Sequence, residues 1–438
     1  MKPRIFGKNA VICALFTSAS ASFVARGARA EAATAPPKEI APSTEEHVFE
    51  RWLGQSRELD SLRSKIGAAR FDLITASVLP NPTLNLSGSY LLSGSPANGT
   101  SSFGPGITMP VPIFGQIGAR KAEATANLRV TEVEVLEEIW ERSDDVEDAM
   151  RERAFSDAEV HETEQNLEEL ARIERIVSAR ASAGANSVYD TLRVTTTEAT
   201  FRAALATAAT ERDRAETKLI SIIAVPGLTS APVTREGLLG FHGPENEAAL
   251  VQIARKRRPD LELARRGIRA AESSAARFRR EVAPIPSVSI GPLFTQGPSS
   301  VTLQASISVP LPTFDRNQGP IGHALASADG QRALADAIEQ RIRVEVHGAW
   351  QAREQARQAL TSFRAGGLKA TDDLIARAEV SYQAGTFAIL DLLDAYRAVW
   401  DARAQELALE KAFADAEAEL EHAAVLLPIA ARENAGAR

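Results

Sequence analysis

The chain has 438 residues, room for two or three ordinary domains. Aromatics make up only 5% of it, and its long stretches of Ala, Glu, Arg, Leu and Gln favour long helices over a compact mixed core. A formal charge of −7 argues against nucleic-acid binding, which rests on basic side chains, and the single cysteine, Cys13, excludes disulfides.

In chain order, residues 1–30 read as a signal peptide. Lys2, Arg4 and Lys8 form a basic start, Ala10 to Phe16 an apolar run, and Ala28-Arg29-Ala30 a small-x-small cleavage site. Removing this segment takes away five basic side chains and no acidic ones, which moves the formal charge from −7 to −12. Cys13 lies inside the apolar run, so acyl anchoring through it is not expected. Residues 31–44 form a linker. No apolar run reaches the ~18–20 residues of a membrane-spanning helix, so a membrane crossing here would use strands.

Residues 45–225 and 246–427 read as two copies of one unit, joined by a linker at 226–245 and followed by a tail at 428–438. Leu79-Pro-Asn-Pro-Thr-Leu-Asn-Leu86 recurs as Ala283-Pro-Ile-Pro-Ser-Val-Ser-Ile290. Met109-Pro-Val-Pro-Ile-Phe114 recurs as Val309-Pro-Leu-Pro-Thr-Phe314. Ala183-Gly184, with Asp190 and Leu192 after it, recurs as Ala384-Gly385 with Asp391 and Leu393. The three offsets are 204, 200 and 201 residues.

Each copy begins with a helix, expected at 45–78 and 246–283. A Pro-x-Pro break ends it, because proline cannot continue a helix and restricts the residue before it. Two strands follow, at 83–92 and 105–113 in the first copy and at 287–295 and 301–311 in the second. They alternate: Leu84, Leu86 and Tyr90 with Asn85, Ser87 and Ser89, and Val301, Leu303, Ala305 and Ile307 with Thr302, Gln304 and Ser306. Period two sets one side against an apolar medium and the other toward water. A helical stretch of about seventy residues then leads to the Ala-Gly motif, about 100 Å if unbroken. Such polar, Ala-rich helices bury a narrow seam, as in a hollow bundle or a solid coiled coil. The plan is an α+β membrane protein with a duplicated helix–β-hairpin–long-helix unit.

Four strands cannot close a barrel, and an open edge in lipid costs several kcal/mol per unpaired backbone group. Closure needs other copies: two chains supply eight strands and three supply twelve, with a wider lumen. Spacing alone does not choose between them.

These residues resemble the TolC family of outer-membrane efflux proteins over nearly all of the chain after residue 30. Val309-Pro-Leu-Pro-Thr-Phe-Asp-Arg-Asn-Gln-Gly-Pro320 is similar to the segment after the last strand in the heavy-metal branch of that family. The resemblance implies a homotrimer in the bacterial outer membrane. Its twelve-stranded barrel would be continued by an α-helical barrel in the periplasm. It also implies a periplasmic adaptor and an inner-membrane pump of the resistance–nodulation–division type as partners, and no enzyme activity. Ser381 to Asp394 matches the family's tip. By that match Asp391 and Asp394 form carboxylate rings at the pore constriction, and Asp190 and Tyr382 help hold the entrance shut. Ala183, Gly184, Ala384, Gly385 and Thr386 lie in the turns where the adaptor docks. Phe387 departs from the pattern, which places an arginine there, so a weaker closing network is expected.

Beside that match, Asp391 and Asp394 are three apart and share a helix face. In a trimer they would make stacked acidic rings that concentrate cations. As lone residues they read as solvated acids suited to a helix N-terminus, and Asp190 could pair locally with Arg193. Six histidines show no ligand spacing and methionines number three, so no resident metal or cofactor is expected. No phosphate loop or nucleophile elbow appears. Besides a cation duct, the pattern leaves open a duct for drugs, solvents or a type I secreted polypeptide, or a soluble periplasmic coiled-coil scaffold.

Overall fold

The computed structural model describes residues 45–94, 101–182, 188–231, 233–235, 241, 243–296 and 300–426. The expected signal peptide, the 31–44 linker and the C-terminal tail lie outside these. The elements in order are α1 (Glu45–Gln55), α2 (Arg57–Ser77), β1 (Thr83–Tyr90), β2 (Ser101–Pro110), α3 (Gln116–Ser182) and α4 (Val188–Ile223). Then come α5 (Glu247–Arg257), α6 (Pro259–Glu281), β3 (Ser287–Gln296), β4 (Ser300–Ser308), α7 (Gln318–Phe363), α8 (Lys369–Gln383) and α9 (Ile389–Ala424).

Three differences from the sequence expectation have physical causes. First, the helices expected at 45–78 and 246–283 are each two. Arg258 leaves helical geometry at ψ 120° because Pro259 follows it. Ser56 does the same without a proline, and the Arg57 N–H is taken by the Ala224 carbonyl at 3.4 Å. Second, the long helix of the second copy is interrupted by a π-helical turn at Arg364–Leu368, which contains Gly366 and Gly367. In the first copy α3 runs unbroken for 67 residues. Third, β2 begins at Ser101 rather than 105 and ends at Pro110 rather than 113, while β4 ends at Ser308 rather than 311 and β1 at Tyr90 rather than 92. The prolines at 110, 112, 310 and 312 have no N–H to extend a ladder.

The four strands form one antiparallel sheet in the order β1-β2-β3-β4. Its register places Leu84, Ile107, Ile290 and Ala305 in one lateral row. These belong to an apolar face that none of the described residues covers: Leu84, Leu303 and Ile307 are 69%, 74% and 73% exposed. The opposite face is polar, with Asn85 donating to Thr108 at 2.6 Å and Thr108 bonded to Ser289 at 2.5 Å. A soluble sheet would bury one face against a layer of its own chain; this one does not.

Between the paired positions Phe103–Phe294 and Ile107–Ile290, β2 and β3 do not pair with each other. Pro105 and Pro292 lie in that gap and cannot donate. The backbones press together there: a Cβ on Gly291 would sit 2.2 Å from the Pro105 carbonyl oxygen.

Below the sheet, α3 packs on α2, α4, α6 and α9, and α7 on α5, α6 and α9. Three apolar cores run through these helices. One gathers Trp52, Leu59, Ile139, Met150 and Leu219 between α1, α2, α3 and α4. Another joins Leu250, Leu261, Ile342 and Leu420 between α5, α6, α7 and α9. The third, around Tyr396, holds the ends of α3, α4, α8 and α9 together. Each fully buried large side chain contributes about 1.5–3 kcal/mol, so the long helices are held by packing rather than by propensity. Among the described residues no helix is long and apolar enough to cross a membrane.

Candidate functional site

The turn between α8 and α9 is closed by its own backbone. Gly385 takes φ +78°, and its N–H bonds the Tyr382 carbonyl at 3.0 Å. The amides of Thr386 and Phe387 both reach the Ser381 carbonyl, at 2.9 and 3.2 Å, and the Thr386 hydroxyl donates to it at 2.9 Å. Only glycine reaches such a φ without a steric penalty. Of the expected docking residues, Ala384, Gly385 and Thr386 are thus exposed on one tight turn. Ala183 and Gly184 lie outside the described residues.

Asp391 and Asp394 stand on the first turns of α9, and both are exposed. The Asp391 carboxylate accepts the Ala388 N–H at 2.8 Å, a helix cap favoured by the helix dipole. Asp394 has Arg397 at 3.7 Å, an exposed pair that holds neither side chain firmly. Each acid therefore has a local partner yet keeps a face to solvent. Asp190 lies in the first turn of α4, beside the exposed Tyr189 and Leu192.

Tyr382 is 2% exposed. The Arg180 guanidinium, from the end of α3, lies 4.5 Å over its ring and donates to its carbonyl. Arg180 also lies against Gly385, 3.8 Å from where a Cβ would be. Phe387, where the family pattern places an arginine, is 41% exposed and brings no charge. The cation at this turn comes from the first copy instead.

A second layer of polar contacts lies farther along. The Tyr396 hydroxyl donates to Glu379 and accepts from Arg172 at 3.1 Å, and Arg172 pairs with Glu379 at 3.6 Å. Burial, helped by the bond to Glu379, pushes the Tyr396 hydroxyl up to about 12. Glu169 receives Trp400 Nε1 at 2.8 Å and Arg403 at 2.9 Å. Sequence reasoning missed Arg180, Arg172, Glu169, Tyr396 and Trp400. One signal was available: at the motif offset of 201, Arg180 stands opposite Ser381, and Trp400 opposite Ala199.

Beyond the tip, a cleft of about 560 Å³ opens between α3, α9 and the segment at Arg235, lined by Asp157, His161, Glu162, Arg403 and Glu410. Glu410 is paired with Arg235 at 2.9 Å and also with Arg364. Among the described residues, no group of three or more His, Cys, Asp or Glu is placed to hold a metal ion.

The model of the family described as "Outer membrane efflux protein" matches residues 48–225 and 250–424, one stretch in each copy. Several solved structures share the fold. One of CusC, concerned with conformational changes in folding and transmembrane channel formation, is 20% identical with TM-score 0.69, covering 86% of this chain and 91% of that one. The open state of the Neisseria gonorrhoeae MtrE outer membrane channel is 18% identical with TM-score 0.67, covering 89% and 96%. The Vibrio cholerae outer membrane protein VceC is 16% identical with TM-score 0.66, covering 86% and 95%. No curated protein matches the sequence.

Proposed function

The chain belongs to the outer membrane efflux protein family, matched across both of its copies, and on that premise we propose that it is the passive exit duct of a tripartite efflux system. Its place is the outer membrane. The observation that carries the proposal is the four-stranded sheet, which among the described residues has one uncovered apolar face, one polar face and two open edges. Lipid satisfies the apolar face, and only further strands satisfy the edges. Three copies supply twelve strands and a lumen, whereas eight strands would fill with side chains. The helices α3, α4, α7, α8 and α9 would continue that tube into the periplasm as a helical barrel.

In this assembly Asp391 and Asp394 ring the entrance from three copies, with Asp190 and Tyr382 gating it. The turns at Ala183-Gly184 and Ala384-Gly385-Thr386 would receive a periplasmic adaptor, and an inner-membrane pump of the resistance–nodulation–division type would supply the energy. We assign heavy-metal cations as the cargo. Support comes from the two exposed carboxylates on one face of α9 and from the segment Val309 to Pro320. Stacked carboxylates lower the cost of admitting cations and raise it for anions.

Planar-bilayer recording tests both levels. Purified protein should give cation-selective pores, and the Asp391→Ala/Asp394→Ala double variant should conduct with a reversal potential moved toward zero in a salt gradient. An absence of pores would remove the duct. An unchanged reversal potential would remove the acidic rings. A deletion strain sensitised to drugs but not to metal salts would overturn the cargo.

A further inference from the structure

The charge of the chain is unevenly spread along its helices. The whole carries −7. Next to the sheet, however, α6 holds six arginines against four acids, and the first fourteen residues of α3 hold Arg120, Lys121 and Arg129 against Glu123. Several of these cations have partners. Arg120 meets Glu281 at 3.0 Å, Arg277 meets Glu123 at 2.8 Å, and Arg265 meets Glu339 at 3.0 Å. Arg129 and Arg269 have none among the described residues, and both are exposed. They line the same cleft.

That cleft, of about 330 Å³, lies between α3 and α6. Thr125, Ala126 and Arg129 reach it from α3, and Arg266, Arg269 and Ser273 from α6. Residues three or four apart on a helix share a face, so each helix forms one wall. No carboxylate is among the lining residues. Arg266 donates through Nε to Glu262 at 2.6 Å and keeps its terminal nitrogens free. The Ser273 hydroxyl has no partner among the described residues, whereas the Thr125 hydroxyl donates to the Lys121 carbonyl at 2.7 Å. Glu123 and Glu272, close by on the two helices, are taken by Arg277 and by Arg332. Three guanidinium groups thus face one space with a single carboxylate, Glu262, to offset them.

The repeat shows that the scaffold does not need these charges. Helices α3 and α7 start 202 residues apart, at Gln116 and Gln318, and α2 and α6 end 204 apart, at Ser77 and Glu281. At those offsets Thr125 and Ala126 become Ser327 and Ala328, but Arg129 becomes Gln331. On the other wall Arg266 becomes Leu62 and Ser273 becomes Ala69, while Arg269 becomes Lys65, which is paired with Glu138. The small residues recur and the free guanidinium groups do not. We propose that the cleft binds a soluble polyphosphate, a ligand with two or more linked phosphate groups, through Arg129, Arg269, Arg266 and Ser273. Planar guanidinium forks bind phosphate oxygens in pairs, and here their donors are unmatched without such a ligand. The volume is at the lower end for small-ligand sites and exceeds what one phosphate fills. Thr125 and Arg129 lie nine and thirteen residues beyond the start of α3, about 14 to 20 Å at 1.5 Å per residue. A lipid headgroup layer is only about 5–7 Å thick. On the duct reading, on which this choice of source alone rests, the cleft is therefore out of reach of membrane phosphates.

Calorimetric titration of the purified full chain in detergent, with inorganic pyrophosphate as the probe, tests the site. Binding should saturate at one site per chain. Arg129→Gln with Arg269→Gln should weaken it at least about tenfold, as expected when a charge-assisted hydrogen bond is lost. Arg279→Gln with Arg280→Gln removes as much charge from exposed positions of α6 outside the cleft. That pair should change the affinity less than about twofold in physiological salt. Pyrophosphate should also raise the melting temperature of the wild type and leave that of Arg129→Gln/Arg269→Gln unmoved. Arg129→Lys with Arg269→Lys keeps the charge, removes the forks and should also weaken binding; it stands in should the glutamine pair fail to assemble. Equal losses in the two glutamine pairs, or full affinity in the lysine pair, would overturn the site. No pyrophosphate binding by protein that still conducts would overturn the site and leave the duct. Binding by protein that gives no pores would uphold the site and remove the duct. Native mass spectrometry with added phosphatidylglycerol separates the sources. Lipid retained by the wild type and lost in Arg129→Gln/Arg269→Gln would make the ligand a headgroup and overturn the soluble class.

Discussion

Copy one reaches the tip in a single helix, α3, whereas copy two makes the same journey in α7, a π-helical turn and α8. The unbroken helix is clamped by α2 and α4 around Val135, Ile139, Trp140, Val146 and Met150, all buried. The broken one passes through Gly366 and Gly367, each about 1 kcal/mol less favourable in a helix than alanine. There Arg364 is turned onto Glu406, at 2.8 Å, and Glu410 of α9. π-helical turns recur at functional positions. The same split appears at the tip, where copy one supplies Arg180 and copy two supplies the turn it holds. The two struts thus differ in one respect: the π-helical break lies in copy two, and α3 of copy one runs without one.

The largest break in the comparison should come from writing copy one into copy two at the sheet. Gly291 corresponds to Ser87, which already carries a side chain and donates its hydroxyl to the Gly104 carbonyl at 3.1 Å. A Cβ on Gly291 would meet the Pro105 carbonyl oxygen at 2.2 Å. Gly291→Ser should therefore cost about 3 kcal/mol and sharply lower the yield of membrane-inserted oligomer. Ser87→Gly should cost about 1 kcal/mol or less. Equal thermal stability of the two variants would mean that β2 and β3 separate freely, and the copies would then be interchangeable there.

Next in size are two buried arginines at matching places. Arg151 and Arg353 are 202 residues apart, as are Gln116 and Gln318, and both reach carboxylates of α9. Arg151 is shared among Glu147 at 3.9 Å, Asp148 and the half-exposed Asp415 at 3.2 Å. Arg353 bonds the buried Glu417 through two nitrogens, at 3.1 and 2.9 Å, with its guanidinium 4.3 Å over Phe241. Glu417→Ala should cost about 3 kcal/mol by leaving a buried charge with only the exposed Glu245 at 3.5 Å. Asp415→Ala should cost under about 1 kcal/mol. Urea unfolding of the two variants gives the ratio, and similar midpoints would show that burial does not separate the copies.

How much of this could be read without coordinates depended on whether the cause was local. The strands, though several of their ends were placed two to four residues from where the ladders stop, were legible because period-two patterning is written in adjacent residues, as at Leu84 to Tyr90. The break at Ser56 was not, since it depends on a hydrogen bond from Arg57 to Ala224 across the fold. Nor was the π-helical turn: Gly366-Gly367 is visible, but what holds the chain through it is Arg364 on α9. Around the α8–α9 turn, Tyr382, Gly385, Asp391 and Asp394 were singled out by motif, and the structure adds a contact that the motif does not carry. Arg180 covers Tyr382 from 202 residues away, and only its mismatch with Ser381 marked it in the sequence.

The smallest effect expected is a pH dependence at the one stacked contact between Trp140 of copy one and His422 of copy two. His422 of α9 stacks on Trp140, ring centroids 4.3 Å apart and 3° from parallel, with Asp144 at 3.9 Å. The residue of copy two that matches Trp140, Ile342, is wholly buried and offers no ring to stack on. Burial lowers the His422 pKa below its ordinary 6.5; Asp144 works against that shift and Arg258 with it. A folded value below the unfolded one means that the unfolded chain binds the proton first. Stability is then fully present above about pH 6.5 and is lost as pH falls through the folded value. The slope from this one group cannot exceed about 1.4 kcal/mol per pH unit. His422→Gln should remove that slope from the urea midpoint measured between pH ~7.5 and ~5.5, while Ile342→Val should lower the midpoint equally at every pH. If both variants keep the wild-type slope, the proton is taken up elsewhere, and the ring pair distinguishes the copies by packing alone.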